Sequence, residues 1–427
     1  MHNITIVGLG YVGLPLACLC AEKGNKVYGL DVDKRKIKLI NKGISPINDE
    51  FLNATIKNLK GKIISTLNPD ECISDSNIVI VCVPTPVDEN HIPDLSALKK
   101  AIESISSAIK KGTVLVVEST IYPGTIEEIV IPILEKKMVD VLKNEVYVAH
   151  CPERIDPGNK KWTIDTIPRV VGGATKEATL KAAMFYRSII NANIVELSSI
   201  KAAEATKIME NTFRDVNIAF VNEMAKSFDK AGIDITEVIK GASTKPFAFM
   251  PHYPGAGVGG HCISVDPYYL IEKAKRLGFN HKFLSLAREI NNSMPHYTVE
   301  ILEGLMKKLG RELKNSRVGV LGLAYKANVD DIRESPSFEI ISILKEKGAE
   351  VFIFDPYVAE KSNVKSVGEI LEKSDFLVLA TDHNEFKMMS PEKIKENGIL
   401  AIVDGRNCLD KEKIKSMGIL YHGIGRE

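Results

Sequence analysis

No two cysteines in this chain form a Cys-x-x-Cys pair, and no histidine-rich tract accompanies the seven cysteines present. A structural zinc site or a disulfide framework is therefore not expected, no metal is assigned, and a reducing compartment fits. Charge of one sign is also missing. Lys plus Arg number 56 against 55 Asp plus Glu, which leaves a net charge of +1. That balance argues against a nucleic-acid or membrane-surface partner. No apolar run reaches membrane-spanning length. Residues 12–21 (VGLPLACLCA) resemble the apolar part of a signal peptide, but no Lys or Arg precedes them and the glycines beside them have another explanation. A soluble, cytoplasmic protein is the expectation.

What is present is ordinary globular material, 427 residues of which 44% are hydrophobic, enough for two or three domains. Short runs rich in Val and Ile alternate with amphipathic stretches from the start. Ile4–Val7, Val27–Leu30, Ile78–Val83, Val114–Glu118 and Val146–Ala149 read as strands, with helical patterns such as Leu95–Ile109 and Ile126–Leu134 between them. This rhythm predicts an α/β fold with a doubly wound parallel sheet. From Leu197 to Ala231 neither Pro nor Gly occurs, which predicts one long helix or two in line. A shorter helix over Ile233–Gly241 and a Pro- and Gly-rich loop over Lys245–Pro267 follow. A second α/β pattern then places strands at Val318–Leu321, Val351–Phe354, Phe376–Ala380 and Ala401–Val403. The reading gives a dinucleotide-binding domain over 1–196, a central helical region over 197–309 and a C-terminal α/β domain over 310–427.

The first strand leads into Gly8-Leu9-Gly10-Tyr11-Val12-Gly13. Gly8 permits a tight turn, Gly10 lets the backbone approach a pyrophosphate, and Gly13 lets the next helix pack closely on the sheet. The free N–H groups of that helix would face the phosphates. Val27–Leu30 ends in Asp31, placed to bind the adenine-ribose hydroxyls and to repel the extra phosphate of NADP. NAD is thus the expected cofactor. Asp33 reads as a turn residue, and Lys36 is placed to reach the adenosine end.

An isolated cysteine is usually a small buried hydrophobe, which suits Cys18, Cys20 and Cys82. Cys72 and Cys408 have no suggestive neighbours. Cys151, in His150-Cys151-Pro152-Glu153-Arg154, is a rival for chemistry. Cys262 lies beside four glycines in six residues, Gly255 to Gly260, which would let a substrate approach the backbone. Asp266 follows four positions on and meets Cys262 if that segment is helical. Either a reactive thiol or a Gly-rich hinge fits this segment alone. On the long helix, Lys207, Asn211 and Arg214 share one face. Three donors on one stripe suit an oxyanion and phosphates, although such a face also suits plain solvent contact.

These motifs together (VGLGYVG, VPTP, EST, PER, KIMENTFRDVNIAFVNE, GVGGHCISVDP, LGLAYKANVDDIRESPS and VDGR) resemble the UDP-glucose/GDP-mannose dehydrogenase family along nearly the whole chain. The resemblance implies two Rossmann-like domains joined by a long helix through which a homodimer forms. It implies oxidation of the C6 alcohol of a nucleotide sugar to a carboxylate, with two NAD reduced per sugar. Cys262 is then the nucleophile that traps the aldehyde as a thiohemiacetal and carries a thioester. Lys207 stabilises the oxyanion and shuttles protons, Asn211 assists it, Asp266 tunes Lys207 or activates water, and Thr120 and Glu153 position that water. The cofactor site takes Gly8, Gly10, Tyr11, Val12, Gly13, Asp31, Lys36, Thr85, Thr120 and Arg333. The substrate contacts are Arg154, Ile155, Lys207, Asn211, Arg214, His252, Gly259, Tyr325, Lys326 and Arg406, with Tyr253 a further neighbour of the sugar.

Within the family, Gly260-His261-Cys262 and the run from Glu153 to Gly158 are similar to enzymes of UDP-N-acetylhexosamines, UDP-N-acetylglucosamine or UDP-N-acetylmannosamine. The run PERIDPGN leans toward the former. The alternatives are a UDP-glucose 6-dehydrogenase, a one-step NAD-dependent hydroxy-acid dehydrogenase, and a catalytically silent nucleotide-sugar sensor.

Overall fold

The computed structural model describes the chain apart from Asn48, Glu89, Asn90, Met138, 156–160, His261 and Cys262, and apart from the side chains of Glu50 and Phe51. Its internal contacts divide it into two compact units. The first is Met1–Glu210 with Tyr268–Phe279, and the second is Asn211–Pro267 with Asn280–Glu427.

The first unit is built on eight strands: β1 (Asn3–Val7), β2 (Lys26–Leu30), β3 (Ile63–Thr66), β4 (Ile78–Val81), β5 (Val114–Val117), β6 (Tyr147–His150), β7 (Arg169–Gly173) and β8 (Ile194–Glu196). They lie in the order β3-β2-β1-β4-β5-β6-β7-β8, and all neighbours pair in parallel except β6 with β7. The chain leaves β1 toward β2 on one side and returns to β4 on the other. That reversal opens a crevice at the carboxyl ends of β1 and β4, where ligands of such sheets bind. β4 and β5 are fully buried, which is why they read as unbroken apolar runs. The segment with signal-peptide character is the helix Gly13–Glu22, apolar on every face because nearly all of it is buried.

Sequence periodicity makes one amphipathic helix of Ile126–Leu134. The structure has a π-helical turn, Ile126–Val130, followed by the helix Ile131–Glu135. Pro132 explains the change, because it has no N–H to close an α-helical bond to residue 128. The long helix runs Ile200–Ala231, about 48 Å at ~1.5 Å per residue. It starts three residues later than the pattern of the sequence suggests. Ser199 stands at its start, with its hydroxyl accepting from the Ala202 N–H at 3.2 Å. It stops before Gly232, whose φ of +68° ends helices.

The second unit contains β9 (Arg317–Leu321), β10 (Glu350–Phe354), β11 (Phe376–Leu379), β12 (Ala401–Asp404) and β13 (Leu420–Gly423). They form a parallel sheet in the order β10-β9-β11-β12-β13, again with a reversal, here at β9 and β11. Its core joins these strands to the helices Met294–Lys308 and Pro336–Glu346. No described helix is long and apolar enough to cross a membrane.

Candidate active site

The three glycines of the first turn have three separate physical reasons. Gly8 has φ +95°, and a Cβ there would lie 2.5 Å from the Cys82 carbonyl oxygen. At Gly13 a Cβ would lie 1.9 Å from the Gly8 carbonyl oxygen, so the helix could not pack onto the turn. At Gly10 no protein atom lies within 4 Å of the Cβ position. Open ground between two tightly packed glycines is the cradle a pyrophosphate needs, and the residues present fit NAD. Asp31, at the end of β2, accepts the Leu9 N–H at 2.8 Å and the Asp33 N–H at 2.9 Å. It therefore braces the glycine turn, a role sequence reasoning did not give it, while its carboxylate keeps further acceptor capacity. Lys36 extends to Asp31, with Nζ 3.4 Å from Oδ2. Asp33 caps the helix Lys34–Asn41.

After β4 and β5 come the two loops carrying Thr85 and Thr120. The Thr85 hydroxyl donates to the Thr120 carbonyl at 2.7 Å, and Ser119 donates to the Val83 carbonyl at 2.7 Å. Tyr269, which no sequence signal marked, donates its hydroxyl to the Thr85 carbonyl at 2.5 Å. These bonds fix the backbone of both loops at the mouth of the crevice.

Past β6, the Glu153 carboxylate turns inward. One oxygen accepts the N–H groups of Arg154 and Ile155 at 2.6 Å each, and the other lies 2.9 Å from the Arg169 guanidinium. Arg169 is fully buried and also faces Glu118 at 3.3 Å, while Tyr186 donates to Glu118. Burial pushes the Glu118 carboxyl up to about 7, against the pull of Arg169. Arg154 sets its guanidinium as a fork on Glu210, at 3.1 and 2.6 Å, and donates to the Pro168 carbonyl at 2.9 Å. Two consecutive residues, Glu153 and Arg154, are thus cross-braced to Arg169 and Pro168. Glu118, Arg169 and Tyr186 escape sequence reading because they are partners only in space.

On the long helix Lys207 is buried at 8% exposure, while Arg214 is exposed. Asn211 donates to Asp266 at 2.5 Å, and Asp266 is 1% exposed. Asp266 is the first residue of the helix Asp266–Arg276, and Ile263–Val265 form a turn. The helix starts at Asp266 itself, so the four-residue helical spacing expected between Cys262 and Asp266 is not carried by Ile263–Val265. Cys262 and His261 lie outside the described residues, as do residues 156–159 of the PERIDPGN run.

The glycines before Cys262 also change meaning. A Cβ at Gly257 would lie 2.7 Å from Pro336, at Gly259 2.6 Å from the Tyr325 Cβ, and at Gly260 2.8 Å from the Tyr325 ring. The expectation was room for a substrate; here the loop's backbone approaches its own second unit, with Gly260 N–H bonded to the Arg333 carbonyl at 2.9 Å. Arg333 pairs with Asp331 through both Nε, at 2.9 Å, and Nη2, at 2.6 Å. His252 sits 3.0 Å from the Met250 carbonyl and edge-on to Phe213, and Tyr253 is exposed.

At the second reversal, Gly322 has φ +99° and its Cβ position is filled by Thr381. Arg406 donates to the carbonyls of Ala380 at 2.9 Å and Tyr325 at 3.0 Å, which ties the turn holding Tyr325 and Lys326 to the end of β11. Asp355 stands at the end of β10 as Asp31 does at the end of β2. Its carboxylate accepts from Leu323 N–H at 2.6 Å, Ala324 N–H at 2.9 Å and His383 at 3.0 Å. Burial would raise its carboxyl, but His383 and the two amides outweigh that and hold it low. No sequence signal marked this acid.

The rival thiol is disqualified by its surroundings. Cys151 is fully buried, and burial pushes its thiol up. Cys18, Cys20, Cys72, Cys82 and Cys408 are raised for the same first reason.

Comparison with known proteins agrees along the chain. Residues 2–190 match the NAD binding domain of the UDP-glucose/GDP-mannose dehydrogenase family, 201–293 its central domain and 319–411 its UDP binding domain. The chain is similar to a UDP-N-acetyl-D-glucosamine 6-dehydrogenase of Pseudomonas aeruginosa, 39% identical over 421 residues, covering 96% of this chain and 98% of that one. It is also similar to a UDP-N-acetyl-D-mannosamine dehydrogenase of Pyrococcus horikoshii, 37% identical over 435 residues and covering 99% of each. The solved UDP-D-ManNAc dehydrogenase structure from Pyrococcus horikoshii superposes with a TM-score of 0.92 at 36% identity, covering 99% of each chain. With three family domains matched in order on two Rossmann-like sheets, the chain is an NAD-dependent nucleotide-sugar dehydrogenase that belongs to the UDP-glucose/GDP-mannose dehydrogenase family.

Proposed function

We propose that the protein oxidises the C6 alcohol of a UDP-N-acetylhexosamine, UDP-N-acetylglucosamine or UDP-N-acetylmannosamine, to the uronic acid in two two-electron steps. The relatives named for both sugars support the N-acetylhexosamine class, and the PERIDPGN run favours the first. The observation that carries the reading is the Asn211–Asp266 pair, a buried carboxylate bonded to an amide one helical turn past Lys207. A one-step hydroxy-acid dehydrogenase has no use for a thiol followed by such a pair.

Held by the turn Gly8–Gly13 and by Asp31, bound NAD would supply the hydride acceptor for each of the two oxidations. Lys207 takes the proton of the C6 hydroxyl and stabilises the alkoxide, with Asn211 as a second donor. The resulting aldehyde is attacked by the Cys262 thiolate, which gives a thiohemiacetal. Loss of a second hydride from that carbon leaves a thioester on Cys262. Water, held by Thr120 with Glu153 fixing the adjoining turn and with Asp266 as its base, hydrolyses the thioester to carboxylate and free thiolate. Arg154, Ile155, Arg214, His252, Gly259, Tyr325, Lys326 and Arg406 bind the UDP-sugar, and Arg333 reaches the cofactor. The enzyme acts as a homodimer in the cytoplasm. Met209, Phe213 and Phe220, exposed at spacings of four and seven on the long helix, support that association.

A Cys262→Ser variant tests the chemistry. It should bind NAD and UDP-sugar yet produce no uronic acid. Full turnover to the acid by this variant would return the reading to a one-step dehydrogenase.

A further inference from the structure

We propose that Glu204 is a positioning residue for this reaction, whose carboxylate clamps the backbone just beyond Thr120 and so sets how the cofactor and the attacking water are held. The inference rests on the reading above, in which Thr120 and Lys207 take part.

Glu204 lies on the long helix one turn before Lys207 and is 0% exposed. One of its oxygens accepts the Gly124 N–H at 2.5 Å and the other accepts the Ile126 N–H at 2.9 Å. These two donors open the π-helical turn Ile126–Val130, where N–H groups lack partners within the helix and favour an anion. Gly124 has φ +96°, so the loop reaches Glu204 by a bend that favours glycine. At its other end the same loop is tied by Ser119 to Val83 and by Thr85 to the Thr120 carbonyl. Thr120 is therefore suspended between two anchors, and one of them is the helix that carries Lys207.

A buried carboxylate is costly and is retained only where its bonds exploit the charge. The other charged groups around it are engaged elsewhere. Lys201, on the same helix, pairs with Glu127 at 2.5 Å, and Glu128 pairs with Lys273. Burial pushes the Glu204 carboxyl up to about 7, opposed by the two N–H bonds; Glu127 adds to the rise and Lys201 counters it. Below that pH a proton occupies one oxygen, so an O–H donor takes the place of the acceptor that faced an N–H donor. The clamp is tight when ionised and slack when protonated.

The test uses the full chain with NAD and each UDP-N-acetylhexosamine from pH 5.5 to 9. Glu204→Gln keeps the volume and removes the charge. It should raise KM for NAD by about tenfold, the scale of one lost charge-assisted hydrogen bond, and leave UDP binding unchanged. The acid limb of kcat/KM for NAD should flatten in this variant and return in Glu204→Asp. Wild-type KM and an unchanged pH profile in Glu204→Gln would overturn the proposal. So would loss of that limb in Glu118→Gln alone. Should Glu204→Gln not fold, amide exchange on the wild type decides: protection at Gly124 and Ile126 must drop between pH 8 and pH 6, and equal protection refutes the clamp. Failure of the wild type to oxidise any UDP-N-acetylhexosamine would sink the substrate reading, while the exchange result still judges the clamp.

Discussion

Gly10 and Gly13 sit three residues apart in one turn and meet opposite surroundings. At Gly13 a Cβ would press on the Gly8 carbonyl at 1.9 Å, whereas at Gly10 it would meet nothing within 4 Å. Gly13→Ala should therefore destabilise the protein by about 2 kcal/mol or more through forced overpacking. Gly10→Ala should leave stability within ~0.5 kcal/mol and raise KM for NAD, since the methyl group occupies the space left for pyrophosphate. Thermal unfolding and NAD titration of the two variants check the contrast. A Gly10→Ala protein with unaltered NAD affinity would contradict the cradle. The fingerprint was legible because the turn itself demands glycine at Gly8, with φ +95°, and at Gly13, packed on the Gly8 carbonyl. Asp31 was legible as an acid at a strand end, but its bond to Leu9 N–H was not, since that depends on how β1 and β2 align.

At the scale of elements, strands β1, β2, β4, β5 and β6 were readable from apolar runs. β3, β7, β8 and β13 were not, being short and partly polar, as in IIST, or rich in glycine, as in RVVGG. The buried Arg169 between Glu118 and Glu153 was invisible for another reason. Its partners lie on the chain after β5 and after β6, and only the antiparallel return of β7 brings Arg169 to them. Arg169→Met should cost about 3–5 kcal/mol, because it leaves two buried carboxylates without their cation. The raised Glu118 carboxyl gives a sign to pH dependence. Between the ordinary carboxyl value and about 7 the folded state holds a proton that the unfolded state has released, so this group's contribution to stability falls as pH rises through that window. In Glu118→Gln that part of the decline should vanish, as urea midpoints measured at pH 5.5 and 8 would reveal. An identical decline in the variant would assign it elsewhere. The glycine loop before Cys262 carries a similar lesson. Its composition announced close approach but could not say to what, and at Gly257, Gly259 and Gly260 the neighbours are Pro336 and Tyr325.

For the whole molecule, two Rossmann-like sheets with different first turns divide the labour. The first keeps open ground at Gly10. In the second, Gly-Leu-Ala-Tyr-Lys replaces the three-glycine pattern, and Asp355 is engaged by Leu323, Ala324 and His383. A family UDP binding domain matched there, and a family NAD binding domain matched on the first, accord with that difference. Association should follow the long helix. Replacing Phe213 and Phe220 together by Glu should convert a dimer to a monomer in sedimentation, and an unchanged mass would move the interface elsewhere. An active site that removes four electrons from one N-acetylated sugar must reduce two NAD for each sugar it consumes. The direct measurement is the ratio of NADH formed to UDP-sugar consumed across a panel of UDP-N-acetylglucosamine, UDP-N-acetylmannosamine and UDP-glucose. Two NADH should form per uronic acid with an N-acetylhexosamine. One NADH per sugar, or turnover with UDP-glucose alone, would contradict it.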